Sequence, residues 1–312
     1  MAEMRSLRLP RTRLWSGTDL PVVSTVLIWG INFSVIKVAL RTFSPLAFNA
    51  LRFGLATLLI LAILYLRGES FHLARRDLLP VILLGLIGHT LYQLMFINGM
   101  ALTTPANTSL LMATTPVFVA IYGWLLGSER VGVLAWIGVV LSFVGILLLI
   151  LGSGGEISLG RGTLRGDLLI LGAAMVWAAY TTGSKGLLTR YSPLKLTALS
   201  MLAGTPPLVL LSIPQLLRQE WLRVAPEAWL GLAYSLIFAV VVAYVAWYTS
   251  VQRVGNARTA IYSNLTPVVA VLVAWLALGD HLTWLQGVGA TVVLSSIMLT
   301  RRGRASRVGA QR

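Results

Sequence analysis

Ten apolar stretches of about 20 residues, parted by short helix-breaking punctuation, decide what this chain can fold into. A helix rising 1.5 Å per residue needs roughly 20 apolar residues to cross a ~30 Å hydrocarbon layer. The expected spans are 20–40, 46–66, 78–98, 106–126, 132–151, 166–185, 193–213, 227–249, 258–278 and 283–300. Their edges are set to about four residues. Ser44-Pro45, Asp77 to Pro80, Thr104-Pro105, Ser128 to Arg130, Ser192-Pro193 and Gly279 to His281 punctuate them. The longest polar stretches, Gly152 to Gly166 and Pro214 to Pro226, leave no room for a soluble catalytic domain. Only 11% of residues are charged and 57% are apolar, against about 25% charged in soluble domains. A single aqueous core cannot hide that much apolar surface, so the reading is an all-α integral membrane protein with ten transmembrane helices. Two weaker segments forming one re-entrant hairpin is the alternative to ten crossings.

The placement of the basic residues orients the chain. Lys and Arg total 25 against 10 acids, a formal net charge of +15. With the N-terminus in the cytoplasm, 18 basic residues fall on the cytoplasmic side and six on the other. Arg52 lies inside a span. That bias puts both termini in the cytoplasm and accounts for the basic excess without nucleic acid. Residues 1–19 and 301–312 read as basic cytoplasmic tails, the second a stop-transfer and anionic-lipid anchor. The first span is too long for a cleaved signal and lacks a cleavage site, so it is expected to be retained. Cysteine is absent, which removes disulfides, thiolate metal sites and cysteine nucleophiles. No metal or cofactor is expected, and monomer and homodimer are equally compatible with the sequence.

The second half restates the first. Trp29 to Leu51 aligns with Trp177 to Leu199 at an offset of 148, matching Lys37 with Lys185 and Ser44-Pro45-Leu46 with Ser192-Pro193-Leu194. Further on the offset becomes 151, matching Thr115-Pro116 with Thr266-Pro267, Trp124-Leu125 with Trp275-Leu276, and Glu129 with Asp280 in charge. The expected organisation is a first repeat over 20–152, a connecting loop over 153–165 and a second repeat over 166–300. Five spans per half is odd, so the second copy enters the membrane from the opposite face. Inverted repeats place a substrate site between the halves near the midplane and let one barrier close as the other opens.

Trp29, Gly30, Asn32 and Phe33 followed by Lys37, then Phe43-Ser44-Pro45, Arg52-Phe53, Thr115-Pro116-Val117-Phe118 and the terminal acid Glu129 form a combined pattern. In it the chain resembles the EamA family of the drug/metabolite transporter superfamily over about residues 20 to 300. The resemblance implies a ten-helix bundle and export of amino acids, related metabolites or drugs through a central cavity. It implies a cavity lined mainly by helices three, four, eight and nine, with help from one and six. Ser200 stands where the second half would carry the counterpart of Arg52, so any role of that arginine belongs to one half alone.

Intramembrane polar groups face the bundle interior or a cavity, because lipid does not solvate them. His89, Tyr92, Gln93 and Phe96 fall on one helical face, and their repeat partners include Tyr244 and Trp247, with Tyr248 beside them. Trp29, Asn32 and Phe33 share a face of the first helix, and Trp177, Tyr180 and Thr181 one of the sixth. With Thr115 and Thr266 they outline an aromatic cage with scattered donors and acceptors, suited to a small, partly apolar solute. Packing glue between helices is the competing role for each of them. Pro116 and Pro267 lie about ten residues into their helices, where they bend the helix and could serve as hinges. Lys37, Lys185 and Arg52 either attract a substrate carboxylate or snorkel and pair at the rim.

No Asp or Glu lies well inside any span, which favours a facilitator or coupling through other groups; His89 as a proton relay competes with a plain hydrogen-bonding role. Neither a phosphate-binding GxxxxGK[ST] loop nor HExxH or GxSxG occurs. The chain therefore reads as a non-enzyme: a secondary transporter exporting small amphipathic metabolites from a bacterial cytoplasmic membrane. A multidrug or sugar-conjugate exporter of the same fold is the alternative, with a membrane-embedded enzyme or a scaffold further off. The partners expected are a small-molecule substrate and membrane lipid.

Overall fold

The computed structural model describes residues 19–103, 108, 111–126, 132–152, 164–269, 272–273 and 283–309. Glu129, Trp275, Asp280, the residues before Asp19 and most of the connecting loop lie outside the described residues. Within them every regular element is a helix and no strand occurs. We label the helices α1 (Leu20–Ala39), α2 (Pro45–Leu66), α3 (Arg75–Leu102), α4 (Thr115–Leu125) and α5 (Val133–Gly152). After the connecting loop follow α6 (Leu164–Ser184), α7 (Pro193–Arg218), α8 (Pro226–Val254), α9 (Asn256–Tyr262) and α10 (Trp284–Gly309).

Proline at the first positions starts α2, α7 and α8, where its missing N–H has no helical partner to lose. Ser192 caps α7, its hydroxyl oxygen accepting from the Lys195 N–H at 3.1 Å. Five helices (α1, α2, α3, α7 and α8) are long and apolar enough to cross a membrane, with mean hydropathies from 1.7 to 2.1. Thr115–Leu125 and Trp136–Leu148 are shorter apolar stretches. Large apolar side chains cover the exterior, among them Leu20, Leu58, Leu66, Leu79, Leu210 and Leu230. Asn49, Arg52, His89, Gln93, Ser200 and Asn264 are buried. This inside-out distribution matches a lipid solvent.

Several expected boundaries move. The stretch from Pro214 was expected to be loop, yet α7 runs through Pro206, Pro207 and Pro214 to Arg218. The α10 backbone likewise continues through 301–309, into the stretch expected to be a separate tail. The larger change concerns the two Thr-Pro sites. The chain turns at Ala113-Thr114, and Pro116 sits in the first turn of the new helix α4. After α9 a 3-10 turn at Ser263–Leu265 precedes a further helical turn at 266–269 that holds Pro267. Pro116 therefore opens a helix after a turn and Pro267 a helical turn after a 3-10 turn, positions where proline's missing N–H removes no regular helical bond.

Two π turns, Leu86–Leu91 in α3 and Ser235–Val242 in α8, interrupt the regular ladder next to Gln93 and Tyr244. The main packing partnerships are α5 with α10, α2 with α7, α1 with α8, α3 with α6 and α7, and α4 with α6 and α9. Each joins a helix before the connecting loop to one after it. Small residues permit the close approaches: a Cβ on Gly145 would lie 2.8 Å from the Gly289 carbonyl oxygen. Near the ends of the bundle, Arg258 pairs with Asp19 at 2.7 Å, and the Thr103 hydroxyl donates to the Asp167 carboxylate. Asp77, at the start of α3, binds Arg190 at 2.6 Å and accepts from the Tyr191 hydroxyl at 2.8 Å.

Candidate functional site

A cavity counted out to its mouth at about 820 Å³ opens among α1, α2, α3, α6, α8 and the two broken helices. Trp29, Asn32 and Phe33 reach it from α1, Tyr92, Gln93 and Phe96 from α3, Trp177 from α6 and Tyr244 from α8. Thr115 and Thr266 line it from the two breaks, and Arg52 from α2. His89, Tyr180, Trp247 and Tyr248 do not line it; they are buried behind the wall. There the His89 Nε2 lies 3.0 Å from the Ser200 hydroxyl and 3.3 Å from the Tyr180 hydroxyl. Tyr180 stacks on Tyr248, with centroids 5.2 Å apart. The indole N–H of Trp247 donates to the Thr181 hydroxyl at 3.2 Å. Lys37 is exposed in the last turn of α1, Lys185 is half-buried beyond the end of α6, and neither lines the cavity. Pro267 is on the wall and Pro116 is not.

The wall is mostly aromatic. Trp177 meets Trp29 edge-on at 5.4 Å, Tyr92 at 4.9 Å and Tyr244 at 5.4 Å. Such pairs are worth about 0.5–1.5 kcal/mol each beyond their buried area. The α8 π turn contributes directly, because a π turn displaces carbonyls from the ordinary helical ladder. The Ala239 carbonyl oxygen within it accepts the Trp29 indole N–H at 3.0 Å.

Polar atoms are fixed on one side of the cavity. Arg52 donates to Asn49 Oδ1 at 2.7 Å, Gln93 Oε1 at 3.0 Å and Ser235 Oγ at 3.1 Å. Gln93 passes the chain on, its Nε2 donating to the Tyr244 hydroxyl at 2.8 Å. Elsewhere on the wall, Asn32 Oδ1, Asn264 Oδ1 and the Thr266 hydroxyl have no hydrogen-bond partner among the described residues. A solute entering here meets flat apolar faces, one cation and several unused acceptors.

Sequence reasoning missed Met112, Ala113, Ser263 and Asn264, all on the wall. Each lies two or three residues before a Thr-Pro dipeptide, and treating that dipeptide as a helix start would have exposed them. The π-turn residues Ala239 and Val240 carried no sequence signal.

Comparison with known proteins agrees with this geometry. The sequence model of the EamA-like transporter family matches residues 18–151 and again 164–302. An uncharacterized transporter of Archaeoglobus fulgidus is 30% identical over 289 residues, covering 91% of this chain and 97% of that protein. The uncharacterized transporter YyaM of Bacillus subtilis is 27% identical over 270 residues, covering 86% and 88% respectively. The uncharacterized inner membrane transporter YedA of Escherichia coli is 29% identical over 287 residues, covering 89% and 88%. A solved crystal structure superposes with a TM-score of 0.78 at 19% identity, over 91% of this chain and 98% of the other, which shows the fold.

Proposed function

The chain belongs to the EamA-like transporter family, and from that premise we propose that it exports small amphipathic metabolites, amino acids or related compounds, by alternating access. That it is a multi-pass membrane transporter and not an enzyme follows from the family. The finer reading is ten membrane crossings in two inverted five-helix repeats, in a bacterial cytoplasmic membrane with both termini in the cytoplasm.

One observation carries it: residues at the repeat offset touch each other, two such pairs of them on the cavity wall. Trp29 meets Trp177, 148 residues on, at 5.4 Å. Thr57 shares a 2.8 Å hydrogen bond with Thr205 at the same offset of 148. Gln93 bonds Tyr244 at an offset of 151. A residue touches its own symmetry mate only beside a two-fold axis. Trp29 and Thr57 lie near the middles of α1 and α2, so that axis would pass through mid-membrane beside the cavity. The two matches to the family model and the cross-half packing support the same arrangement. Asp19 and Asp167, also 148 apart, clasp opposite ends of the bundle. Halves related in this way can exchange conformations, closing one end as the other opens.

Within this reading Trp29, Asn32, Tyr92, Gln93, Phe96, Thr115, Trp177, Tyr244 and Thr266 contact the solute, while His89, Tyr180, Trp247 and Tyr248 hold the wall. The full chain in proteoliposomes preloaded with unlabelled amino acid is expected to accumulate the labelled solute by counterflow. Vesicles that trade no solute of this class would sink the reading.

The paired breaks at Pro116 and Pro267 act here as hinges, since a new helix start can swing about its preceding turn. Replacing both (Pro116→Ala with Pro267→Ala) lets the helices run on and is expected to slow counterflow about tenfold at undiminished thermal stability. An unchanged rate would make the breaks static.

A further inference from the structure

We infer that the transported solute carries a carboxylate, and that Arg52 is the group that holds it. The inference rests on the cavity being the substrate site and names the chemistry that site selects.

Arg52 is 3% exposed, lines the cavity, and is the one charged residue on its described wall. Every partner it has is neutral: Asn49, Gln93 and Ser235 by hydrogen bond, and the rings of Phe48 and Phe53 at 5.5 and 5.0 Å. No carboxylate among the described residues lies within ion-pair distance of it. Its Nε–H has no acceptor among the described residues. Neutral dipoles orient a guanidinium without cancelling its charge, and a buried charge left uncompensated in a membrane interior is costly. Among the described residues the other deeply buried charges do have counterions: Asp19 is paired with Arg258 and Asp77 with Arg190. Arg52 is the exception, and it is the one that faces the cavity. A guanidinium present only to join helices could have been a glutamine. An anion arriving through the cavity supplies the missing charge and takes the strongest class of hydrogen bond available there.

The pseudo-symmetry sharpens the point. At the matching position of the second half stands Ser200, bonded to His89 and to the Thr197 carbonyl oxygen. One half is therefore cationic at this depth and the other neutral, so the site is polarised where the fold alone would make it even. A bound solute points its anionic end at α2 and lays its body along Trp29, Trp177 and Phe96. An ammonium group, where the solute has one, finds neutral acceptors and aromatic faces on the described wall, Asn32, Asn264 and Thr266 among the acceptors, and no carboxylate. The carboxylate is thus the recognised group and the amine an accessory.

The test is a matched panel on the full chain in lipid nanodiscs, read by thermal shift and by competition in proteoliposome counterflow. For leucine, phenylalanine and threonine bodies, the amino acid, its amide, its decarboxylated amine and its des-amino acid are compared. The wild-type protein is expected to bind the two acids of a body about tenfold or more tightly than the amide and the amine. Arg52→Gln is expected to abolish that preference, and Arg52→Lys to keep it in weaker form. Amides binding as well as acids in the wild type, or acid preference surviving in Arg52→Gln, would overturn the inference while leaving the transport reading intact. The wild-type panel decides the matter alone if Arg52→Gln does not fold. A protein that binds and moves no member of the panel overturns the substrate reading beneath both.

Discussion

The Gly204→Val protein is expected to yield no folded, monodisperse material. A Cβ at Gly204 would lie 2.0 Å from the Gly85 carbonyl oxygen, 2.5 Å from its carbon and 2.9 Å from the His89 Cβ. The reciprocal position is as tight, with a Cβ on Gly85 falling 2.3 Å from the Ser200 carbonyl oxygen. Two of the three obstacles at Gly204 are backbone atoms of α3, which cannot rotate aside as a side-chain tip can. The Gly204 carbonyl oxygen is also held by the Thr90 hydroxyl at 2.6 Å, so α7 cannot simply back away. Overpacking a yielding core costs about 1–3 kcal/mol; prying apart two helix backbones exceeds that, a large share of the stability of most domains. Size-exclusion and thermal unfolding in detergent read the result. Gly54→Ala is the matched control, since its new Cβ meets only Val209 Cγ2 at 4.0 Å. It is expected to be neutral or stabilising by up to about 1 kcal/mol, the helix-propensity gain. Equal stability for Gly204→Val and Gly54→Ala would mean that α3 and α7 do not touch where they are placed here.

The helices were legible from residues, and the close contacts between them were not: Gly85, Gly88 and Gly145 each face a neighbouring helix at short range. Long apolar periods, prolines at helix starts and repeated tryptophans are local signals, and they located α1, α2, α3, α7 and α8 within a few residues. The helical face of α3 was misread in part for a physical reason. The π turn at Leu86–Leu91 adds a residue per turn just before Tyr92, which rotates His89 off the face it would share with Gln93 in an ideal helix. His89 consequently points to Ser200 and Tyr180 behind the wall. Such turns arise from packing between halves, which no single segment encodes. Arg52 shows the same limit: its depth was countable from Pro45, but its neutral company came from α3 and α8 together.

Trp177→Ala is expected to lose transport and to lower stability by about 3–5 kcal/mol, the usual range for deleting a buried tryptophan. Trp177 is 3% exposed, lines the cavity, and packs against five rings: Trp29, Tyr92, Tyr180, Tyr244 and Trp247. Loss of function alone would not separate a wall residue from packing glue, because both collapse when so many contacts go. The separation comes from Trp177→Phe. Phenylalanine keeps an aromatic face toward Trp29 and Tyr244 while withdrawing part of the ring from the cavity, so most packing survives. If Trp177 meets the solute, the Trp177→Phe protein melts close to the wild type, yet its counterflow KM rises about tenfold for the preferred solute and shifts less for bulkier ones that fill the space. If Trp177 only joins helices, KM stays put and the melting temperature alone falls. The position is the sharpest place to ask, because Trp177 touches Trp29 beside the two-fold axis proposed above. Both halves must move against each other there if either end of the cavity is to open, so a solute-contacting Trp177 would couple binding directly to the exchange of states.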